Sequence, residues 1–292
     1  MPAEPETTLL SGTDGAKISV HTWAADNPHG VLQLTHGMGE QSLRYAELAQ
    51  ALNAVGWTVV AQDHRGHGAS AESEELLGQI GADGWSALVA DIDLVRAYAT
   101  AQTPGVPLVL FGHSMGSFAA QQYLPVYGHK IDGLVLTGTA ALDLLEPALD
   151  LDAPLDLAMF NAAFAPARTD FDWLSRDESR VDAYVEDPLT GFGLDVGAVK
   201  TMFAGARGLA APDAYEAVPT DLPVYVAVGD SDPVNAQLAL VHPLIERYRA
   251  AGLTFVELKI YEGARHELTN ETIRDDFAWD LVTWLNARFP GQ

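Results

Sequence analysis

Short apolar runs rich in β-branched residues alternate along this chain with longer segments of helical period. Strand-length runs fall at residues 17–23, 30–35, 58–62, 108–111, 133–136, 223–228 and 255–260. Several are continuously apolar, as in Leu108-Val109-Leu110-Phe111 and Val224-Tyr225-Val226-Ala227-Val228. An unbroken apolar run of that length predicts a strand buried on both faces, the condition of a parallel sheet covered by helices. Amphipathic segments at 45–55, 84–99, 117–127, 236–251 and 271–287 supply such helices. Strand and helix in repeated alternation predict an α/β architecture with a doubly wound, mostly parallel sheet.

One stretch breaks the alternation. Residues 141–217 contain no good strand, irregularly spaced Leu, Met and Phe, and the prolines Pro147, Pro154, Pro166, Pro188 and Pro212. The pattern predicts a mostly helical subdomain, 141–217, inserted into an α/β core made of 1–140 and 218–292.

Composition narrows the chemistry. The 292 residues are 48% hydrophobic and 19% charged, which suits a folded chain with a sizeable core. Lys+Arg is 16 against Asp+Glu 40, a formal net charge of -24. That surface repels phosphate backbones and anionic headgroups, so nucleic-acid partners and polybasic membrane docking are excluded. With Cys 0, a disulfide scaffold, a zinc-thiolate centre, an iron–sulfur cluster and a cysteine nucleophile are excluded too. The start, Met1-Pro2-Ala3-Glu4-Pro5-Glu6, is acidic and unlike a signal peptide, and no run approaches the roughly 18 apolar residues of a membrane span. A cytoplasmic protein without stable membrane insertion is expected.

The sharpest motif is Gly112-His113-Ser114-Met115-Gly116, between the apolar run 108–111 and the segment 117–127. A serine on a tight strand-to-helix turn needs small neighbours, and glycines flank it. Ser114 is the candidate nucleophile. A serine hydroxyl needs a base, and the base an orienting acid. Gly229-Asp230-Ser231-Asp232 and Gly263-Ala264-Arg265-His266-Glu267 follow later strands, in the order Ser, Asp, His that this architecture uses. His266 is the candidate base. Spacing alone does not separate Asp230 from Asp232; Asp232 is favoured as the acid, with the other aspartate capping the loop. A tetrahedral intermediate needs preset N–H donors. The Met115 amide, next after the nucleophile, and the Met38 amide in His36-Gly37-Met38-Gly39-Glu40 are the expected oxyanion donors, with His36 shaping that loop. Asp63-His64-Arg65-Gly66-His67-Gly68 reads as a hydrogen-bonded turn rather than a metal site. No phosphate-binding glycine loop or dinucleotide fingerprint occurs, so no cofactor is expected.

Taken together, His36-Gly37-Met38-Gly39-Glu40 with Arg44-Tyr45, Asp63-His64-Arg65-Gly66-His67-Gly68, Gly112-His113-Ser114-Met115-Gly116, Gly229-Asp230-Ser231-Asp232 and Tyr261-Glu262-Gly263-Ala264-Arg265-His266-Glu267 resemble the α/β-hydrolase superfamily. The resemblance is to its monoacylglycerol lipase and lysophospholipase-like branch, grouped with serine aminopeptidase-like hydrolases. It implies Ser114 as nucleophile, Asp232 as acid, His266 as base and Met38 and Met115 as oxyanion donors. It further implies a serine hydrolase acting on a monoacylglycerol or similar single-chain acyl ester, a small-molecule ester or lipid substrate. Aminopeptidase, thioesterase or aromatic-ester hydrolase activity, or a receptor role, are the alternatives. The family usually has a histidine where this chain has Gln41. The insertion resembles a cap, whose Leu155, Leu157, Met159, Phe160, Phe164, Phe192, Met202 and Phe203 are candidates to face the nucleophile, with Phe160, Phe164 and Phe192 taken as substrate-binding. Its acidic residues Asp150, Asp152, Asp156, Asp170 and Asp172 would be the place to hold a substrate amine.

Overall fold

The apolar runs form the middle of one eight-stranded sheet with strand order β1-β2-β4-β3-β5-β6-β7-β8. The computed structural model describes residues 4–81 and 84–291; the start of the acidic N-terminal run, residues 1–3, lies outside them. The strands are β1 (Glu6–Ser11), β2 (Lys17–Trp23), β3 (Gly30–Thr35), β4 (Trp57–Gln62), β5 (Leu108–His113), β6 (Gly133–Thr137), β7 (Val224–Gly229) and β8 (Val256–Tyr261). The β1–β2 and β2–β4 pairs are antiparallel, and every pair from β4 to β8 is parallel. Every residue of β3, β4, β5, β6 and β7 is buried, whereas edge strand β8 is buried only at its ends, Val256 and Tyr261.

Alternate residues of the buried strands feed two separate cores. On one face Leu108 and Leu110 meet Leu88, Ile92 and Val95 of α2 (Gly84–Gln102), Phe118 and Tyr123 of α3 (Met115–Tyr127), and Leu244 and Tyr248 of α7 (Val241–Ala250). On the other, Val109 and Phe111 meet Leu48 and Leu52 of α1 (Ala46–Asn53) and Phe277 and Leu281 of α8 (Arg274–Arg288). Helices on both faces explain why the strands carry no polar alternation.

Two elements depart from expectation. β1 was not anticipated: its sequence, ETTLLS, has little apolar content, and it lies on the antiparallel edge with mostly exposed residues. The helix expected over 236–251 begins only at Val241, because Ala236, Gln237 and Leu238 take φ of 51°, 53° and 75°. The Asn235 side chain accepts the Leu238 N–H at 2.7 Å and holds this left-handed turn. Between β6 and β7 no strand occurs among the described residues. That segment carries α4 (Leu142–Leu145), α5 (Glu178–Glu186) and α6 (Val196–Gly208), joined by 3-10 turns. Asp177 and Asp195 cap the last two by accepting Ser179 N–H and Ala198 N–H. Among the described residues no helix is long and apolar enough to cross a membrane.

Phe111 is fully buried in the central strand. Phe111→Ala is expected to lower unfolding free energy by about 3–5 kcal/mol, measured by equilibrium urea denaturation; a loss below about 1 kcal/mol would contradict the packing described.

Candidate active site

The parallel strands end on one side, and their following loops meet there. Ser114 follows β5 with φ 51° and ψ -120°, a strained conformation for a residue with a side chain. The turn closes only because its neighbours lack a Cβ. One placed on Gly116 would lie 2.3 Å from Thr35 O, and one on Gly112 would lie 2.7 Å from Gly116 O. The loop after β3 comes equally close, since a Cβ on Gly37 would sit 3.1 Å from Ser114 Cβ.

The two aspartates, ambiguous in sequence, are distinct in space. Asp232 is fully buried, and its Oδ2 lies 2.9 Å from His266 Nδ1 while its Oδ1 accepts Val234 N–H. Asp230 instead accepts Gly263 N–H at 2.7 Å and caps the turn that leads to His266. Burial disfavours the charged imidazole of His266, but the Asp232 carboxylate and its hydrogen bond outweigh this and hold its pKa above the usual range. His113, its ring 4.8 Å from that of His266 and tilted to it, is driven strongly to its neutral form by burial and by that neighbour. Ser114 and His266 line the same cleft, and His266 Nε2 is buried without a hydrogen-bond partner.

The expected oxyanion donors also lie on the cleft. Met115 opens α3, so its N–H has no acceptor within the helix. Met38 N–H has no backbone partner among the described residues. His36 shapes this loop: its Nδ1 lies 2.7 Å from Gly37 O, and its Nε2 accepts His64 N–H. In the Asp63–Gly68 turn, Asp63 accepts Ser42 N–H, Ser42 Oγ–H and Ala69 N–H, and Arg65 pairs with Asp91 and Asp14.

One buried cluster was not foreseen. Arg44 bridges Glu40 at 2.6 Å and Glu267 at 2.7 Å through both guanidinium nitrogens. Glu40 also accepts Gly37 N–H and Tyr45 O–H. Both carboxylates adjoin motif residues, and that adjacency was the available signal: Glu40 ends the oxyanion loop and Glu267 follows the base. With His113 they converge within 4.8 Å, as a metal site would, but the Arg44 guanidinium already binds both carboxylates. Gln41, where the family usually has histidine, donates to Asp187 of the insertion at 3.0 Å.

The cleft is mostly apolar. From the insertion, Leu142, Leu145, Leu149, Leu155, Leu157 and Phe160 reach it, as do Trp173, Met202 and Phe203. Of the three phenylalanines taken as substrate-binding, Phe160 lines the cleft, but Phe164 and Phe192 are not among its lining residues. Phe164 carries the Arg265 guanidinium 4.2 Å over its ring. Phe192 packs at 4.9 Å on His67, its backbone seated on Gly39. Met159 is exposed. None of the insertion's aspartates lines the cleft either. Asp152 pairs with Lys200, Asp156 caps the turn Leu157–Phe164, and Asp172 accepts from Thr169 and Arg168.

These arrangements predict that Asp232→Asn lowers kcat/KM on p-nitrophenyl butyrate by about 10³–10⁴-fold, against roughly fivefold or less for Asp230→Asn; the reverse ranking would move the acid role. The neutral imidazole is the active form of a base, so kcat/KM is expected to fall as pH drops through an apparent value above about 6.5. Glu267→Gln removes a negative charge beside His266 and should move that limb of the pH profile to lower pH; an upward move would contradict the electrostatics described.

Comparisons with known proteins give the family. The family described as Hydrolase_4, serine aminopeptidase S33, matches residues 26–273. A monoacylglycerol lipase of Mycolicibacterium smegmatis is 31% identical over 280 residues, covering 94% of this chain and 95% of its own. A carboxyl esterase from Bacillus coagulans, solved in complex with glycerol, superposes with a TM-score of 0.87 at 25% identity, covering 98% and 99% of the two chains. A monoglyceride lipase of Saccharomyces cerevisiae, solved with a substrate analogue, shares the fold at a TM-score of 0.79 and 22% identity, covering 99% and 97%. The chain belongs to the serine aminopeptidase S33 family of α/β-hydrolases, among its monoacylglycerol lipase-like members.

Proposed function

We propose that this protein is a serine hydrolase of carboxylic esters, acting on monoacylglycerols or similar single-chain acyl esters. The observation that carries this reading is a serine in a strained strand-to-helix turn that shares an apolar cleft with a buried His266–Asp232 pair. His266 Nε2 takes the proton of Ser114 as Oγ attacks the ester carbonyl. Asp232 fixes the tautomer with Nε2 free and stabilises the imidazolium. The oxyanion is received by Met38 and Met115 N–H. His266 then protonates the departing alcohol, and water hydrolyses the acyl-enzyme by the same route. No hydrogen bond joins Ser114 Oγ to His266 Nε2 among the described residues; such contacts commonly tighten once substrate is bound.

Segment 141–217 acts in this reading as a cap that supplies the acyl-chain wall. A long apolar wall suits a fatty acyl group, and the carbonyl is the polar point it presents. An aminopeptidase would need an unmatched carboxylate to hold the substrate amine. Glu40 and Glu267 are both engaged by Arg44, and the insertion's aspartates face elsewhere. A glyceryl ester, with a neutral head, needs no free carboxylate. The relative solved with glycerol and the one named for monoacylglycerols support the same choice.

Ser114→Ala is expected to abolish hydrolysis of p-nitrophenyl butyrate and of glyceryl monooctanoate, with Tm within a few degrees of wild type. A panel of glyceryl esters, aromatic esters and aminoacyl amides should rank the glyceryl esters first. Retained activity in the serine variant would refute the nucleophile, and an amide ranked first would refute the substrate class.

A further inference from the structure

Among the side chains lining the cleft, two buried nitrogens have no hydrogen-bond partner among the described residues: His266 Nε2 and Trp173 Nε1. The proton shuttle of acyl transfer accounts for the first. It does not account for the second. An indole N–H can only donate, and burying it unpaired is unfavourable. Trp173 is 3% exposed, and its ring lies 4.9 Å from that of His266 and 5.0 Å from that of Phe160.

Nor is Trp173 carried on a loose loop. Its backbone N–H donates to Asn161 Oδ1 at 2.9 Å. On either side of it, Asp172 O and Ser175 O accept from the Arg265 guanidinium. Leu174 O accepts Glu267 N–H at 2.8 Å, and Ser175 Oγ donates to Asn270 O. Arg265 and Glu267 flank His266 in sequence. The indole is therefore tied through backbone contacts to the same loop that carries the base.

The direction of proton transfer says which part of a substrate lies there. His266 Nε2 must hand its proton to the leaving oxygen, so the alcohol half of the ester sits beside the imidazole. Three other polar side chains of the cleft are already committed: Glu40 and Glu267 to Arg44, and the Tyr184 hydroxyl to Gly39 O. The indole donor suits an oxygen acceptor on that alcohol. We propose that Trp173 is a specificity-determining residue whose N–H donates to a hydroxyl oxygen of the substrate alcohol, so that esters of polyols are preferred over esters of plain alkyl alcohols of the same length. This inference rests on the ester-hydrolase reading above.

The test compares kcat/KM for glyceryl monooctanoate and propyl octanoate, the same ester without its two hydroxyls, both kept below aggregation. Wild type should prefer the glyceryl ester by roughly 2- to 10-fold, the size of one neutral hydrogen bond. Trp173→Phe keeps an aromatic wall and loses the donor. It should bring the preference close to one, with the loss on the glyceryl ester exceeding that on the propyl ester by the wild-type preference. Equal losses on both esters would make the indole a wall only and overturn the proposal. So would a wild-type enzyme with no preference, a comparison that needs no variant. Hydrolysis of neither ester by wild type would instead remove the ester reading itself, and this inference with it.

Discussion

A single guanidinium shared between two buried carboxylates joins the halves of this site. Arg44 holds Glu40, whose other oxygen accepts Gly37 N–H and so fixes the loop that carries Met38. It also holds Glu267, the residue after His266. The loop after β3 and the loop that carries His266 come from opposite ends of the chain, and this ion pair spans 223 residues. Burying two carboxylates is unfavourable unless each is matched, and here the match also fixes geometry. Two carboxylates against one guanidinium leave a surplus negative charge close to the imidazole. That surplus acts with Asp232 in favouring protonated His266.

Much of this was legible in the sequence because it is local. The core strands announce themselves as unbroken apolar runs, since helices cover both faces. Ser114 is betrayed by Gly112 and Gly116, whose missing Cβ atoms the turn requires. The choice between Asp230 and Asp232 was not local. It depends on which carboxylate faces a histidine 34 residues away, and only the fold decides that. β1 escaped notice because an edge strand on solvent needs no apolar alternation, and the onset of α7 because a left-handed turn over Ala236–Leu238 carries no glycine to signal it.

The insertion was read least well, for a related reason. Its aromatic residues look alike in sequence, yet Phe160 reaches the cleft, Phe164 lies under Arg265, and Phe192 packs on His67. Its aspartates, which in composition suggest a cation site, serve as helix caps, turn acceptors and surface ion pairs. Three-dimensional neighbours, not residue type, decide between these uses.

The insertion also rests on the core at two places where a side chain is not tolerated. A Cβ on Gly39 would lie 2.3 Å from Phe192 O, and one on Gly78 would lie 2.1 Å from Gly193 O. These glycines work as a pair of sockets for a passing backbone, so they are indifferent to what the visiting segment's side chains are. Those two seats constrain only the main chain above them, while side-chain contacts such as Gln41 with Asp187 and Arg265 over Phe164 hold the rest of the segment. The main-chain path over residues 192–193 is therefore set by the core, independently of which side chains that stretch carries.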